Sequence, residues 1–360
     1  MRRDALELDG TPLSSPYRPP LSLGDVEAMR LLLAGGSVVD WHKAAFDTLD
    51  DVDQLLRLHL LEPGDPFDDA RLRYLFTEAV AYVEEYLRLR VPPKVREVAD
   101  VRELFLRASD VRGFRRTQVL SCMVLKLMHV MQHLEAADLR LRMPLSDNAL
   151  LDLAARRIGA AADRMRADGV PLVAFYGSRK TRTAVITKLL CKRDDVATRV
   201  FDKLRYRVLV PEPEDLATAL TWLVRHLVPF HMVVPGQSHN NLLDPDEITA
   251  RLEPTLRDAI QPLVDDPVRS EARTNEFSGE TYRMINVVVD LPVRLPDHAL
   301  PAGPQVSQGR VVHVVVEFQL ADVATDQANE AGENAHEHYK RRQHERVRRR
   351  LTRGVYTPEG

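Results

Sequence analysis

The sequence is poor in cysteine and lacks any long apolar segment. Only two of its 360 residues are cysteines, Cys122 and Cys191, and they do not form a CxxC pair. This argues against a disulfide framework and a cysteine-based zinc site. The initial segment MRRDALELDGTPLSSP has no apolar core of a signal peptide, and no window holds 18 consecutive apolar residues. These absences predict a soluble, cytoplasmic protein with no membrane partner.

Nucleotide-binding loops of the common kinds are also missing. The chain contains neither GxxxxGK[ST] nor GxGxxG, which argues against a P-loop protein and a dinucleotide-binding fold. The net charge of -3 gives no overall field that favours nucleic acid. Basic residues are instead concentrated at 340–353 (KRRQHERVRRRLTR). Such a run is typical of a solvated helix face, with an RNA or phosphate patch as the alternative.

The length suits two domains, and the 44% hydrophobic content is enough for a sizeable core. Proline-rich residues 1–22 predict a loose arm. Helical periodicity dominates from 23 to 145, which predicts a helical domain of unknown role. Residues 146–353 mix helix and strand patterns and form the predicted catalytic domain, followed by a tail at 354–360.

The predicted helices include two with clear apolar spacing, at 72–89 and 117–139. His129 and His133 lie four residues apart in the second of these helices. Such a pair can bind zinc, but the sequence offers no clear third ligand and the helix is otherwise apolar. Ordinary packing of both histidines is therefore the favoured interpretation.

Short apolar runs in the second half of the chain predict strands. The strand signal is weakest for FHMVV at 230–234. The runs cover 171–177, 201–211, 230–234, 281–293 and 310–320. A long polar helix is predicted over 323–352. The expected fold class is therefore α+β, with a mixed sheet of about five strands flanked by helices and preceded by a mostly α-helical region.

Two acids stand at strand ends. Asp202 begins the strand over 201–211, and Glu317 lies near the end of the last strand. A carboxylate from each strand can share one Mg²⁺, which also takes up substrate phosphates. The segment 178–193 adds nearby cations that can neutralise a nucleoside triphosphate. These are Arg179, Lys180, Arg182, Lys188, Lys192 and Arg193.

Five short segments share their order and spacing with motifs of one enzyme family. They are SRKTRTAVITK at 178–188, DKLRYRV at 202–208, TYRMIN at 281–286, EFQLAD at 317–322 and EAGENAHEHYK at 330–340. On these segments, the region from about 150 to 341 resembles the synthetase domain of the RelA/SpoT homologues, the alarmone synthetases. That family transfers a pyrophosphate from ATP to the 3′ hydroxyl of a guanine nucleotide. The resemblance implies a Mg²⁺-dependent pyrophosphokinase with ATP and GDP or GTP as partners.

The resemblance also implies roles for individual residues. Asp202 and Glu317 would hold Mg²⁺, with Glu317 also the general base for the attacking hydroxyl. Tyr282 would stack on the acceptor base. The remaining implied phosphate- and nucleotide-binding residues are Lys180, Arg182, Lys188, Arg207, Gln319, His336 and Lys340.

The sequence departs from the family pattern at four positions. Ser178 replaces an arginine implied in holding the ATP donor, and Ala184 replaces a serine. Ala321 and Asp322 replace an Arg-Thr pair, which removes a positive charge and adds a negative one. No hydrolase HD pattern occurs in residues 23–145, so no alarmone hydrolysis is expected.

Three hypotheses stay open at this point. The first is pyrophosphate transfer to a guanine nucleotide. The second is the same chemistry on an adenine nucleotide or the 3′ end of tRNA, for which the basic run 340–353 is suited. The third is a non-catalytic nucleotide sensor. The helical region is a candidate for self-association or for binding a protein regulator, and His239 and Asn240 are candidates for lining the acceptor pocket.

Overall fold

The computed structural model describes 17, 20–34, 41, 44–109, 115–191, 204–234, 236–243, 282–301, 303, 305–330 and 336–352. Within the helices of these ranges, the side chains of Leu23, Lys188, Cys191, His336, Glu337, His338, Tyr339 and Arg342 lie outside the description. The sequence also predicts a helical segment near 247–260, and these residues lie outside the description.

Seven helices come before the first strand in the described part of the chain. They are α1 (Leu23–Ala34), α2 (Leu49–Leu58), α3 (Pro66–Glu85), α4 (Pro93–Arg96), α5 (Glu103–Ala108), α6 (Arg116–Arg142) and α7 (Asp147–Ala167). Side-chain caps start several of them: Thr48 forms a capping box for α2, and Asp65 accepts two backbone N–H bonds before Pro66 opens α3. Ser146 caps α7 in the same way.

The sheet has five strands in the order β1-β2-β5-β4-β3. Their bounds are β1 (Ala174–Arg179), β2 (Leu204–Val210), β3 (His239–Asn240), β4 (Ile285–Arg294) and β5 (Val311–Asp322). β2 and β5 run parallel, whereas the other neighbours are antiparallel. The mixed sheet flanked by helices confirms the predicted α+β fold class.

The strand predicted at 230–234 is wrong. Phe230–Met232 forms a 3-10 turn after Pro229, and Val233 contributes one isolated bridge to Val289. The fifth strand is instead the two-residue β3. Residues 230–233 are at most 8% exposed, and the end of the run reaches β4 through the Val233 bridge and a 2.8 Å hydrogen bond from the Val234 N–H to the Val288 carbonyl. Hydrophobicity alone does not distinguish such a buried turn from a strand.

Four further helices complete the described architecture. They are α8 (Arg182–Cys191), α9 (Asp215–His226), α10 (Val323–Glu330) and α11 (His336–Leu351). The long polar helix predicted over 323–352 is therefore described as two helices, and residues 331–335 lie outside the description. None of the helices in the described ranges is both long and apolar enough to span a bilayer.

One face of the sheet is apolar. Along β5, Val316, Phe318 and Leu320 are at most 1% exposed and point towards this face. Tyr206 of β2 stacks on Phe318 with ring centroids 6.0 Å apart, and it meets Phe175 of β1 edge-on at 5.9 Å. These contacts fix the side on which the alternate residues of each strand must lie.

The helical region packs closely against the sheet-containing region. A single cluster of buried apolar residues continues from α1 to β5. Among the ion pairs that join the regions are Arg294 to Asp68 at 2.7 Å and Arg225 to Asp25 at 2.5 Å. The division near residue 146 stays a prediction, because this shared core does not mark a boundary there.

The aromatic packing around Gly177 generates a stability prediction. A Cβ at Gly177 would meet the Tyr206 ring at 2.6 Å, and that ring is held between Phe175 and Phe318. We expect Gly177→Ala to lower the free energy of unfolding by about 1–3 kcal/mol, measured by urea denaturation.

The matched control is Gly159→Ala in the interior of α7, where no atom lies within 4 Å of the added Cβ. This variant should be more stable by about 0.5–1 kcal/mol because alanine favours the helix. Equal behaviour of the two variants would contradict the tight packing at Gly177.

Candidate functional site

The face of the sheet opposite the apolar one carries two rows of polar residues. In the first row, Ser178 of β1 pairs with Arg205 of β2, and Arg205 pairs with Glu317 of β5. Because side chains alternate along each strand, the residues two positions further on form a second row on the same face. This second row crosses all five strands, and each member is the Cα partner of the next: Tyr176, Arg207, Gln319, Asn286 and His239.

The carboxylate of Glu317 accepts hydrogen bonds from two neighbours on this face. Arg205 Nε donates to Oε2 at 3.0 Å, and Gln319 Nε2 donates to Oε1 at 2.8 Å. The side chain of Glu317 is only 6% exposed, whereas that of Arg205 is 32% exposed. A carboxylate buried this far needs a cation and donors to offset its lost hydration, and these two residues supply them.

Arg207 occupies the centre of the second row. Its Nη1 donates to Asp326 Oδ1 of α10 at 2.7 Å and to Glu330 Oε1 at 3.4 Å, while Nη2 reaches Gln319 Oε1 at 3.4 Å. Burial by itself lowers the pKa of this guanidinium, but the Asp326 carboxylate holds the pKa above its ordinary value. Arg207 therefore links α10 to the sheet as a fixed positive charge.

Tyr282 lies just before β4 and close to both arginines. Burial raises the pKa of its phenol, and the positive charges of Arg207 and Arg205 oppose that rise. The backbone carbonyl of Tyr282 accepts a 2.7 Å hydrogen bond from the Asn241 side chain. The ring is thus held beside the two rows and stays a neutral phenol at physiological pH.

The outer end of the second row contains two polar atoms without partners. Asn286 Oδ1 and His239 Nδ1 are buried, and neither has a hydrogen-bond partner among the described residues. Burial also lowers the pKa of His239. Asn240 instead bonds within its own turn, with Oδ1 accepting from the backbone N–H groups of Leu242 and Leu243.

The departures at Ala321 and Asp322 have a structural explanation. Ala321 is fully buried on the polar face, where no room remains for an arginine. Asp322 Oδ1 accepts from the Thr325 backbone N–H at 2.9 Å and so caps the start of α10. The side chain of Asn329 on α10 then makes two hydrogen bonds with the Arg283 backbone. This end of β5 is built to dock a helix.

The predicted donor-phosphate residues lie at the junction of β1 and α8. Thr181 caps α8 by accepting from the Ala184 N–H at 3.3 Å. Lys180 is partly buried next to this cap, while Arg182 is exposed in the first turn of the helix. Arg179, a possible substitute for the arginine missing at 178, is paired with Asp152 at 2.5 Å.

Three predicted site residues cannot be placed with these. Asp202 lies outside the described residues, and so do the side chains of Lys188 and His336. Lys340 is exposed on α11. Of the predicted set, the structure brings together Glu317, Gln319, Arg207 and Tyr282.

Arg205 and Asp326 are the important residues that the sequence interpretation missed. The signal for Arg205 was present, because Arg205 and Arg207 are two apart on a strand and must share a face. Asp326 had no comparable signal, since its contact with Arg207 joins positions 119 residues apart.

Glu317 fits one ligand position of the predicted Mg²⁺ site. Each of its oxygens accepts one hydrogen bond, and a carboxylate offers about four lone-pair directions in all. One oxygen can thus still bind a hard cation. Mg²⁺ typically binds one or two carboxylates together with substrate phosphates. Asp202, the second predicted ligand, begins the segment that leads into β2.

Comparisons with known proteins find only distant similarity, to solved structures. No family model matches the chain, and no curated protein matches it. The chain is similar to the crystal structure of small alarmone synthetase 1 from Bacillus subtilis, with a TM-score of 0.30 and 13% identity over 57% of this chain and 87% of that one. A structure of that synthetase bound to its product pppGpp gives the same values.

Small alarmone synthetase 2 from Bacillus subtilis is similar at a TM-score of 0.28 and 14% identity, over 57% of this chain and 94% of that one. Both synthetases belong to the family that the sequence motifs resemble. At these values, no residue of this chain takes its role from those structures.

The ion pair between Arg207 and Asp326 generates the prediction for this face. Both side chains are less than a fifth exposed, at 15% and 18%. We expect Arg207→Met to lower the free energy of unfolding by about 2–3 kcal/mol, because it leaves a buried carboxylate without its cation. Urea denaturation measures this loss.

The matched variants are Asp326→Asn and the double variant. Because the two losses have one cause, the double variant should be destabilised by clearly less than the sum of the single variants. Additive losses would show that the pair does not couple α10 to the sheet.

Proposed function

We propose that the protein is a nucleotide pyrophosphokinase that transfers pyrophosphate from ATP to the 3′ hydroxyl of a guanine nucleotide. The observation that carries this proposal is the alternation of charges on the polar sheet face. A buried carboxylate, Glu317, lies between Arg205 and the pair formed by Gln319 and Arg207. Glu317 is therefore a candidate general base that lies beside two arginines, whose positive charges attract phosphates.

The reaction forms one bond and breaks one. The 3′ oxygen of the acceptor attacks the β-phosphorus of ATP, and the bond from that phosphorus to the α–β bridging oxygen breaks. AMP leaves with that oxygen and its electron pair. Glu317 takes the proton of the attacking hydroxyl. A general base must lie within hydrogen-bond reach of that proton, and Glu317 is held in place by its two donors.

The cations neutralise charge on the transferred group. Arg205 is the most accessible of the two sheet arginines, with 32% of its side chain exposed. Lys180 lies at the β1–α8 junction, two residues along the chain from Ser178. Glu317 and Asp202 would hold Mg²⁺, which would supply positive charge against the substrate phosphates. Fixed cations add to this without reorganising during the reaction.

The acceptor base is placed against Tyr282 and the outer end of the second row. An aromatic ring accepts the face of any base. The partnerless atoms Asn286 Oδ1 and His239 Nδ1 supply polar contacts for a ligand there. An adenine nucleotide or the tRNA 3′ end is the alternative acceptor of the same reaction.

One observation favours a second candidate, a non-catalytic nucleotide sensor on the same face. The pairing of Glu317 with Arg205 already neutralises the carboxylate, and Ser178 stands in that row without a positive charge. A sensor would bind nucleotides at these arginines and transfer nothing. Cytoplasmic localisation, and self-association or a protein regulator acting through the helical region, remain part of the proposal.

Transfer of label tests the reaction. ATP labelled in the γ-phosphate, with Mg²⁺, is offered with GDP, GTP, ATP or bulk tRNA in separate reactions. We expect label to move to a guanine nucleotide, and Glu317→Gln to reduce the rate by about 10²–10⁴-fold because the general base is lost. Thin-layer chromatography separates donor and product.

The matched control is Glu62→Gln, which changes an exposed acid paired with Arg57 in the helical region. Its transfer rate should equal that of the unchanged protein. If the folded protein binds ATP but moves no label to any acceptor, the sensor is the correct assignment and the transfer proposal fails.

Stacking by Tyr282 gives a separate prediction. Tyr282→Leu should raise the KM for the acceptor by about 5–100-fold, because stacking on an aromatic side chain contributes about 1–3 kcal/mol per base. Tyr282→Phe keeps the ring and should leave this KM within about threefold. Steady-state kinetics with varied acceptor measure both. Equal losses in the two variants would mean that the hydroxyl, and not the ring, is what matters.

A further inference from the structure

Five histidines gather where the helical region meets the sheet. They come from separate segments: the end of α2, the helix α6, the 3-10 turn and β5. Successive ring centroids are 4.5 to 5.1 Å apart. The members, in order of contact, are His59, His231, His129, His133 and His313. We call this set the histidine cluster.

One end of the histidine cluster reaches a carboxylate. His133, His313 and Asp290 each offer one atom that can bind a metal ion, and these three atoms all lie within 4.8 Å of one another. The Nδ1 of His133 and the Oδ2 of Asp290 are 3.7 Å apart. His133 comes from α6, Asp290 from β4 and His313 from β5, so three elements that are distant in sequence converge on one point.

The convergence follows from strand register and helix docking. His313 pairs with Pro292 and Asp290 pairs with Val315, so the two side chains are diagonal neighbours on one face of the sheet. Arg140 of α6 donates to the His313 carbonyl at 3.1 Å and anchors the helix over this face. These contacts hold His133 opposite both residues.

One buried polar atom at this point has no partner among the described residues. His313 is 7% exposed, and its Nε2 makes no hydrogen bond there. The 3.7 Å separation of His133 and Asp290 is too long for a hydrogen bond. Buried polar groups without partners are costly and rare. A cation that takes a lone pair from each of the three groups would remove this cost.

The chemistry of the three groups suits a cation. A neutral imidazole offers the lone pair of a ring nitrogen, and a carboxylate offers oxygen lone pairs and a negative charge. His133, His313 and Asp290 each present one such atom, and the three atoms lie within 4.8 Å of one another.

We propose that His133, Asp290 and His313 form a binding site for a divalent transition-metal ion such as Zn²⁺. Two imidazole nitrogens and one carboxylate oxygen suit Zn²⁺ or Fe²⁺ better than Mg²⁺, which prefers oxygen alone. Bonds of about 2.0–2.1 Å at tetrahedral angles separate ligand atoms by about 3.4 Å. The 3.7 Å between His133 Nδ1 and Asp290 Oδ2 is near this value. Small side-chain rotations would shorten the longer distances within the group.

The ion would connect the helical region to the sheet. Three protein ligands leave one position for water or for His129, whose ring is 4.6 Å from that of His133. The His133 and Asp290 side chains are each 29% exposed, which gives the ion a route in.

Glu317 lies four residues after His313 on β5, about 13 Å away. The site does not depend on the proposed transfer reaction.

Metal titration of the full chain tests the site. After dialysis against a chelator, Zn²⁺ is titrated in competition with a chromophoric chelator. We expect one ion per chain and a rise in the thermal midpoint of about 3–5 °C at a hundredfold excess over the Kd. Asp290→Asn and His313→Gln should each weaken binding at least about a hundredfold.

Two histidine variants serve as controls. His298→Gln changes an exposed histidine outside the cluster, and His59→Gln changes the far end of the cluster. Both should bind Zn²⁺ as the unchanged protein does. If the unchanged protein binds no ion more tightly than the chelator background, or if His298→Gln loses affinity as much as Asp290→Asn, the proposal is wrong.

X-ray absorption on the unchanged zinc-loaded protein needs no variant. A first shell of nitrogen and oxygen with imidazole scattering is expected. A sulfur ligand would point to Cys122 or Cys191 and overturn the assignment, as would a shell of oxygen alone. This readout keeps the proposal testable even where a buried variant fails to fold.

Discussion

The register of β5 is the constraint on which the site depends. β5 is the central strand, parallel to β2 and antiparallel to β4. Burial of Val316, Phe318 and Leu320 on the apolar face forces Glu317 and Gln319 to the other face. A shift of one residue would place the carboxylate in the core and Phe318 outside it. The hydrophobic effect thereby sets the position of a charged group to within one residue.

The charged and polar side chains on the polar face hold one another in position through hydrogen bonds. A continuous chain of hydrogen bonds links five side chains, in the order Arg205, Glu317, Gln319, Arg207 and Asp326. Each member offsets the desolvation of its neighbour, so the row stays in place without a substrate. Arg205 is the more exposed of the two sheet arginines in this row, with 32% of its side chain exposed against 15% for Arg207.

The two ends of β5 differ in how their polar groups are satisfied. Around Glu317, the described contacts provide donors for both carboxylate oxygens. Around His313, α6 covers the same face and brings histidines close to Asp290, and His313 Nε2 has no hydrogen-bond partner among the described residues. One strand thus presents a complete hydrogen-bonded row at one end and an incomplete set of ligand atoms at the other. The helical region takes part in the second arrangement through His133.

The sequence by itself determined the fold class and most strand positions, because short apolar runs and helical periodicity are local signals. It also indicated Glu317, Gln319, Arg207 and Tyr282 through motif spacing. It did not determine the partner of Glu317, the docking of Asp326 or the third ligand beside His133. His133 and His313 are 180 positions apart, and only strand register and helix packing bring their rings within 4.6 Å. Contacts between distant segments have no local signature, so tertiary structure alone decided them.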